Sequence, residues 1–209
     1  MQHWKTFVAG TGLALAAWAG LAPVAARADG TTDARFNASD PSANAAADGT
    51  WNAGFSLGAG FGPAIFGSQS QHHLAAGFLH VGRRLESDKS FLRRLELGGE
   101  VWGGGQYDPE AAYVTGLTPM ARYHFQPGSR LSPFVDLGLG FVLTDIGLPD
   151  LSTTYQFSPQ AGTGVHWTLS KHLALTLQAR YIHISNAGLE QPNDGVNAFV
   201  FTGGLTRFF

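Results

Sequence analysis

Two side chains near the C-terminus interrupt an otherwise regular pattern. From Leu173 onward apolar groups recur at every second position, through Leu175, Leu177 and Ala179 to Tyr181. Period two is the signature of a strand. Continued, it puts His183 and Ser185 on the apolar face and turns Ile182 and Ile184 to the polar face. An unpaired hydroxyl moved into an apolar medium costs roughly 2–7 kcal/mol, depending on the reference state. The inversion therefore needs a reason. One is that the strand has left its apolar surroundings by residue 183, leaving His183 and Ser185 as solvated rim residues. The other is chemical. Two residues apart on one strand face, an imidazole can reach a hydroxyl and take its proton, which makes serine a nucleophile.

Other candidates for chemistry are weaker. His72-His73 is a potential metal pair, but neighbouring strand residues point to opposite faces. Gly103-Gly104-Gly105 has no helix after it to make a phosphate site. The chain has no cysteine, which removes disulfides, thiolate metal sites and a cysteine nucleophile. Net charge is −2 with no basic cluster, which argues against a nucleic-acid partner.

The elements that must carry His183 and Ser185 are strands. Of 209 residues 28 are glycine, 12% are aromatic and only 13% are charged, a composition suited to short strands and tight turns. Alternation begins at Trp51, where Ala53, Phe55, Leu57, Ala59 and Phe61 interleave with Asn52, Gly54, Ser56, Gly58 and Gly60. Eight such segments follow one another, at 51–62, 71–85, 91–104, 112–125, 132–143, 154–168, 172–185 and 196–209. Each is long enough for a tilted membrane strand of about 9–11 residues. The expected fold is all-β, a single eight-stranded antiparallel transmembrane β-barrel over 51–209. Its connections alternate between short (86–90, 126–131, 169–171) and longer (63–70, 105–111, 144–153, 186–195). An even strand number puts both termini on the periplasmic side.

The polar parity holds His80, Arg84, Glu96, Glu100, Arg122, Asp136, Gln156, Gln160, Gln178 and Arg180, with His124 and His166 as further lumen hydrogen-bonders. An eight-stranded barrel has room inside only for side chains, so these charges should pair and fill it, with Glu96 and Glu100 meeting Arg84, Arg94 or Arg122. A porin-like channel is not expected. A lipocalin-like barrel would turn the polar face outward, but that face is too rich in glycine and too poor in charge for a solvated surface. Ahead of the barrel, Met1–Ala28 reads as a signal peptide: Lys5, an apolar run from Phe7 to Ala26, and an Ala26-Arg27-Ala28 cleavage site. Residues 29–50 read as a polar segment without periodicity.

The segment Arg180-Tyr181-Ile182-His183-Ile184-Ser185-Asn186-Ala187-Gly188-Leu189, followed by Gln191-Pro192-Asn193-Asp194-Gly195-Val196-Asn197, resembles the lipid A 3-O-deacylase (PagL) family. The specific part is the H-x-S-N core with the P-N-x-G turn behind it. The terminal Phe209 resembles the aromatic signature read by outer-membrane assembly machinery, with Arg207 departing from its usual hydrophobic residue. The resemblance implies a cofactor-independent, metal-free esterase of the Gram-negative outer membrane. Its substrate would be lipid A of lipopolysaccharide, deacylated at position 3 from the outer leaflet. It implies Ser185 as nucleophile, His183 as general base and then acid, and Asn186 as an oxyanion-hole contributor.

The family's pattern has a Glu that orients the histidine, at the position matching Asn197. With the parity of Phe199 and Phe201, Asn197 belongs on the outer face beside the seventh strand. If Ser185 lies opposite it, His183 is a diagonal neighbour, about 7–8 Å away between backbones. An amide oxygen can accept the imidazole N–H, though without a carboxylate's charge. Glu190 and Asp194 are the nearby carboxylates, expected to solvate the 186–195 loop. Competing readings are a noncatalytic structural or adhesion barrel and another acyl hydrolase or transferase on the same scaffold. The sequence leaves a homo-oligomer open.

Overall fold

A computed structural model describes residues 49–209 of the chain. The signal peptide and all but the last two residues of the 29–50 segment lie outside the described residues. Eight strands, β1 (Trp51–Phe61), β2 (His73–Arg84), β3 (Leu95–Asp108), β4 (Ala112–His124), β5 (Leu131–Thr144), β6 (Tyr155–Ser170), β7 (Leu173–Ile184) and β8 (Val196–Phe208), form a closed antiparallel barrel. β1 closes onto β8 with Asn52 opposite Phe208 and Phe61 opposite Phe199. Closure leaves no unpaired edge, which a strand facing lipid cannot tolerate.

Alternation decides the two faces. Leu57, Val101, Leu117, Leu137, Leu139 and Phe201 are exposed on the outer face, while Glu96, Glu100, Arg122, Asp136, Gln160 and Arg180 are buried in the lumen. Exposed aromatic residues mark both ends, with Trp51, Phe125, Trp167 and Phe209 at the end that holds the termini and Phe61, Tyr107, Tyr113 and Tyr155 at the other. Polar groups inside and apolar groups outside exclude the lipocalin-like arrangement.

The lumen is filled in two layers. Towards the termini it is ionic. Glu96 accepts from His80 at 2.8 Å and His124 at 3.0 Å, with Arg122 at 3.8 Å. Arg122 also meets Asp136 at 3.0 Å. Gly82 makes room for this network, since a Cβ there would stand 2.3 Å from Oε1 of Glu96. Glu100 pairs with Arg180 rather than with the arginines expected from the sequence. Arg94 points to the rim, where it donates to the Phe125 carbonyl at 3.1 Å. Towards the far end the lumen turns apolar: Leu74, Phe78, Trp102, Val114, Val142, Leu151, Ile182, Ile184, Val196, Ala198 and Val200 form one buried cluster. Ile182 and Ile184 face inward because the barrel is plugged there with hydrocarbon, so the sequence pattern inverts without either residue being misplaced.

The third strand differs from expectation. It runs Leu95–Asp108 instead of 91–104, and Leu92–Arg94 form a 3-10 turn. Lys89 N–H binds the Ser87 hydroxyl at 3.1 Å, and Arg93 N–H returns to the Lys89 carbonyl at 3.2 Å. These local bonds hold the chain in a turn. Phe91 extends the apolar alternation but serves as a rim aromatic, its ring 5.2 Å from that of Tyr123. The expected alternation of short and long connections therefore fails at this pair of loops.

Candidate active site

β7 carries His183 on its outer parity and ends at Ile184. Ser185 is held just beyond by a bridge to β6, with Phe157 N–H to its carbonyl at 2.7 Å and its own N–H to the Phe157 carbonyl at 3.0 Å. The chain then turns sharply. Ala187 (φ 57) and Gly188 (φ 80) both have positive φ, as in type I′ turns. The Asn186 side chain braces this turn by accepting Gly188 N–H at 2.9 Å. His183 and Ser185 thus share a half-buried outer face at the end of a fixed strand.

Asn197 lies directly opposite His183 in the β7–β8 register, not opposite Ser185. The diagonal relation expected from the sequence is therefore replaced by a closer one. His183 Nδ1 is 2.8 Å from Asn197 Oδ1. The amide orientation follows from its other end, where Nδ2 donates to the Ile65 carbonyl at 2.6 Å. A carbonyl only accepts, so Oδ1 must face the histidine and Nδ1 must carry the proton. The basic lone pair is then on Nε2. Tyr181 adds a second donor to the same Oδ1, its hydroxyl at 2.5 Å. Although Asn197 has outward parity it is fully buried, because the loop carrying Ile65 folds over it.

Gly195 forms the floor beneath the imidazole. Its φ is +78°, and a Cβ there would come within 2.8 Å of His183 Cε1. Asn186 is buried, and its donors are engaged within the loops. Nδ2 donates to the Ser152 hydroxyl at 3.1 Å and to the Glu190 carbonyl at 2.8 Å, and its backbone N–H donates to Asn193 Oδ1 at 2.9 Å. Glu190 is exposed, and the Asp194 carboxylate accepts from Gln69, so neither approaches His183 by hydrogen bond. No hydrogen bond joins Ser185 to His183 among the described residues. Beside Ser185, Leu117, Phe141, Leu143, Tyr155, Phe157 and Leu189 line an apolar groove of about 570 Å³ on the outer surface.

His72, just before β2, and His73, its first residue, diverge. His72 is buried against Asp150 at 3.0 Å, while His73 stands 4.0 Å from Asp108 at the surface. Among the described residues no group of three or more His, Asp or Glu is placed to hold a metal ion. Sequence reasoning gave no role to Ile65, Tyr181 or Gly195. Only Gly195 left a readable trace, as the glycine of a turn two residues before Asn197.

The lipid A 3-O-deacylase (PagL) profile matches residues 78–206, a span that includes every residue of this site except Ile65. The chain belongs to that family. It is 30% identical over 107 residues to the lipid A deacylase PagL of Pseudomonas aeruginosa, covering 50% of this chain and 58% of that protein. It is 30% identical over 111 residues to the lipid A deacylase PagL of Bordetella bronchiseptica, covering 51% of this chain and 58% of that protein. The chain thus spans somewhat more than half the length of these relatives.

In fold, the barrel is similar to the crystal structure of the outer membrane enzyme PagL, with a TM-score of 0.61 at 20% identity over 72% of this chain and 97% of that one. Neisserial surface protein A has a TM-score of 0.58 at 14% identity, over 78% and 100%. The PagL-family chain is an outer-membrane β-barrel. That fold is shared by differently named proteins, so function has to be argued from the site.

Proposed function

We propose that this protein is an outer-membrane esterase that hydrolyses the 3-O-linked hydroxyacyl chain of lipid A, with Ser185 as nucleophile and His183 as base. The observation that carries the reading is the Asn197 amide. It is anchored by the Ile65 carbonyl so that its oxygen accepts a hydrogen bond from Nδ1–H of His183. This leaves Nε2 as the base, on the face that Ser185 shares. The apolar groove beside Ser185 is suited to the departing acyl chain, and the site's position on the outer surface suits a substrate that arrives from within the membrane.

In acylation, Nε2 takes the Ser185 proton as Oγ attacks the ester carbonyl carbon. The imidazolium then returns that proton to the departing 3-oxygen of the sugar. Water, deprotonated by Nε2, attacks the acyl-serine and releases the fatty acid, and the proton goes back to Ser185 Oγ. Asn197 holds the tautomer throughout, and its dipole stabilises the imidazolium less than a carboxylate would. An oxyanion donor from Asn186 requires the incoming carbonyl oxygen to displace Ser152 or the Glu190 carbonyl from its amide. Such bonds often tighten only on substrate binding, as must the one between Ser185 and His183. With the termini periplasmic, the site end reaches the outer leaflet.

Ser185→Ala and His183→Ala should each abolish release of 3-hydroxy fatty acid from lipid A while the barrel still folds, as read by heat-modifiable gel mobility. Removing one member of such a pair costs about what removing both does, roughly 10⁶ in one measured hydrolase. The double variant should be no slower than the singles. A folded Ser185→Ala protein that releases fatty acid at the parent rate would end this reading in favour of a noncatalytic barrel.

A further inference from the structure

The loops at the site end converge on one buried carboxylate that takes no direct part in the reaction proposed above. Asp150, in the β5–β6 loop, is 1% exposed. Its Oδ1 accepts the Gln69 N–H at 2.8 Å and faces the Ser68 hydroxyl at 3.5 Å. Its Oδ2 lies 3.0 Å from His72 Nε2. His72 Nδ1 faces Oε1 of Gln106, whose own Nε2 donates to the Glu110 carbonyl at 2.9 Å. That bond fixes Oε1 as an acceptor. Both ring nitrogens of His72 therefore face acceptor oxygens, one of them from the carboxylate. Burial by itself would raise the Asp150 carboxyl, but the Gln69 N–H, with Ser70 and His72, outweighs it and holds the group below its ordinary range.

The backbone of the same residue reaches the other side of the site. Asp150 O accepts Asp194 N–H at 3.0 Å and Gly195 N–H at 3.2 Å. Gly195 is the floor under His183. On the opposite side, Ser68 N–H donates at 3.2 Å to the Ile65 carbonyl, the one that orients Asn197. Both supports of His183 are thus tied to Asp150, one through its side chain and one through its main chain.

We propose that Asp150 is a positioning residue: by clamping the 62–72 and 185–195 loops together it holds Asn197 and Gly195 so that His183 keeps its proton on Nδ1. The inference rests on the esterase reading for its consequence in catalysis, though not for the tautomer itself. The carboxylate missing beside His183 is here replaced by a neutral amide, and the charge that makes the amide rigid sits one layer further out.

The test uses the full-length protein refolded in detergent micelles, with Asp150→Ala and Asp150→Asn. Long-range ¹H–¹⁵N spectra of ¹⁵N-histidine-labelled protein report the tautomer of His183, assigned by its loss in His183→Gln. The parent should show one tautomer protonated at Nδ1, and Asp150→Ala a mixture of the two. Asp150→Asn keeps an acceptor for Gln69 and should fall between them. With lipid A in the same micelles, Asp150→Ala should lower kcat by roughly 10–100-fold, the scale expected when reacting groups shift by about an ångström. KM should stay within about twofold, and Asp150→Asn should recover part of the loss. If Asp150→Ala does not fold, the Asn variant decides by its intermediate tautomer and rate, and parent-like values in it overturn the proposal. Parent-like values in a folded Asp150→Ala protein do the same. If the parent releases no fatty acid, the esterase reading fails, while the spectra still decide the role of Asp150.

Discussion

In the lumen, Glu96, Glu100 and Asp136 each meet a cationic side chain, whereas on the outer face His183, Ser185 and Asn197 are assembled without a carboxylate. The two clusters belong to one barrel, and adjacent strands supply both. They differ in what surrounds them. The charged side chains of the lumen are almost fully buried, so a charge there is tolerable only with a partner and further hydrogen bonds. Arg180 shows this arrangement, donating to Gln160 Oε1 at 3.1 Å and Gln178 Oε1 at 3.0 Å besides its pair with Glu100. The outer site lies on the apolar outer face of the barrel, where His183 and Ser185 are only half-buried. A carboxylate at position 197 would lack a counter-charge until the imidazolium forms, and it would face the Ile65 carbonyl. The amide avoids both costs and gives up part of the stabilisation of the imidazolium. Lumen charges serve the fold continuously, while a charge at the site would be matched only during the reaction.

The largest expected effect on stability is therefore in the lumen. Arg180→Met leaves Glu100 without its main partner, and breaking a buried pair from one side costs about 3–5 kcal/mol. Unfolding in urea, followed in lipid vesicles, should show a lowered midpoint. The activity of the fraction that remains folded should match the parent, since no hydrogen bond of Arg180 reaches His183, Ser185 or Asn197. Lost activity in the folded fraction would show that the two clusters are coupled.

On the outer face the effect is on rate. Asn197→Ala removes the acceptor that fixes the His183 tautomer, and deacylation should fall by about 10²-fold or more, with about 1–3 kcal/mol of stability lost from the buried partners it leaves unpaired. In one protease the wrong tautomer alone costs ≈ 10⁴. Glu190→Ala should stay within about twofold of the parent, because the carboxylate is exposed. Asp194→Ala should lie between, since it loses only its contact with Gln69. Rates of purified variants on one lipid A preparation settle the order. Abolished turnover in Glu190→Ala or Asp194→Ala alone would move the partner of the histidine into the loop.

The contrast between the clusters also explains what could be read from the sequence. Strand alternation is local, so the lumen and lipid faces were legible down to His80, His124 and His166, which are all buried as expected. Phe91 has the outward parity of Leu95 and Leu97, so the alternation runs on through a turn that Ser87 and Lys89 close by hydrogen bonds. His183 and Ser185 stood out because they broke the period. Their support did not. Whether Asn197 faces His183 or Ser185 depends on how the 185–195 loop sets the register, and a shift of two residues preserves every face. Ile65 and Asp150 meet the site across three loops, each through its backbone carbonyl, and neither carries a local pattern.

Gly195 and Ala187 sharpen the comparison at its smallest scale, since both lie in the loop that shapes the site and both have positive φ. A methyl group at Gly195 meets His183 Cε1 at 2.8 Å and takes on a backbone conformation that costs an L-residue about 1–2 kcal/mol. Gly195→Ala should therefore lower both activity and stability, with the ring displaced from Asn197. Ala187 already bears that kind of strain, at φ 57 with a side chain. Ala187→Gly relieves it, and the barrel should gain up to about 1 kcal/mol, less whatever the added freedom of glycine gives to the unfolded chain. The urea midpoint in vesicles reads the gain, and fatty-acid release reads its consequence. Because Asn186 braces the same turn through its bond to Gly188 N–H, the relaxed turn should keep its shape and the rate should stay near the parent value. A stabilised Ala187→Gly protein with a much lower rate would mean that the strained turn itself places Ser185. The outer cluster would then depend on stored backbone strain, which the paired charges of the lumen do not require.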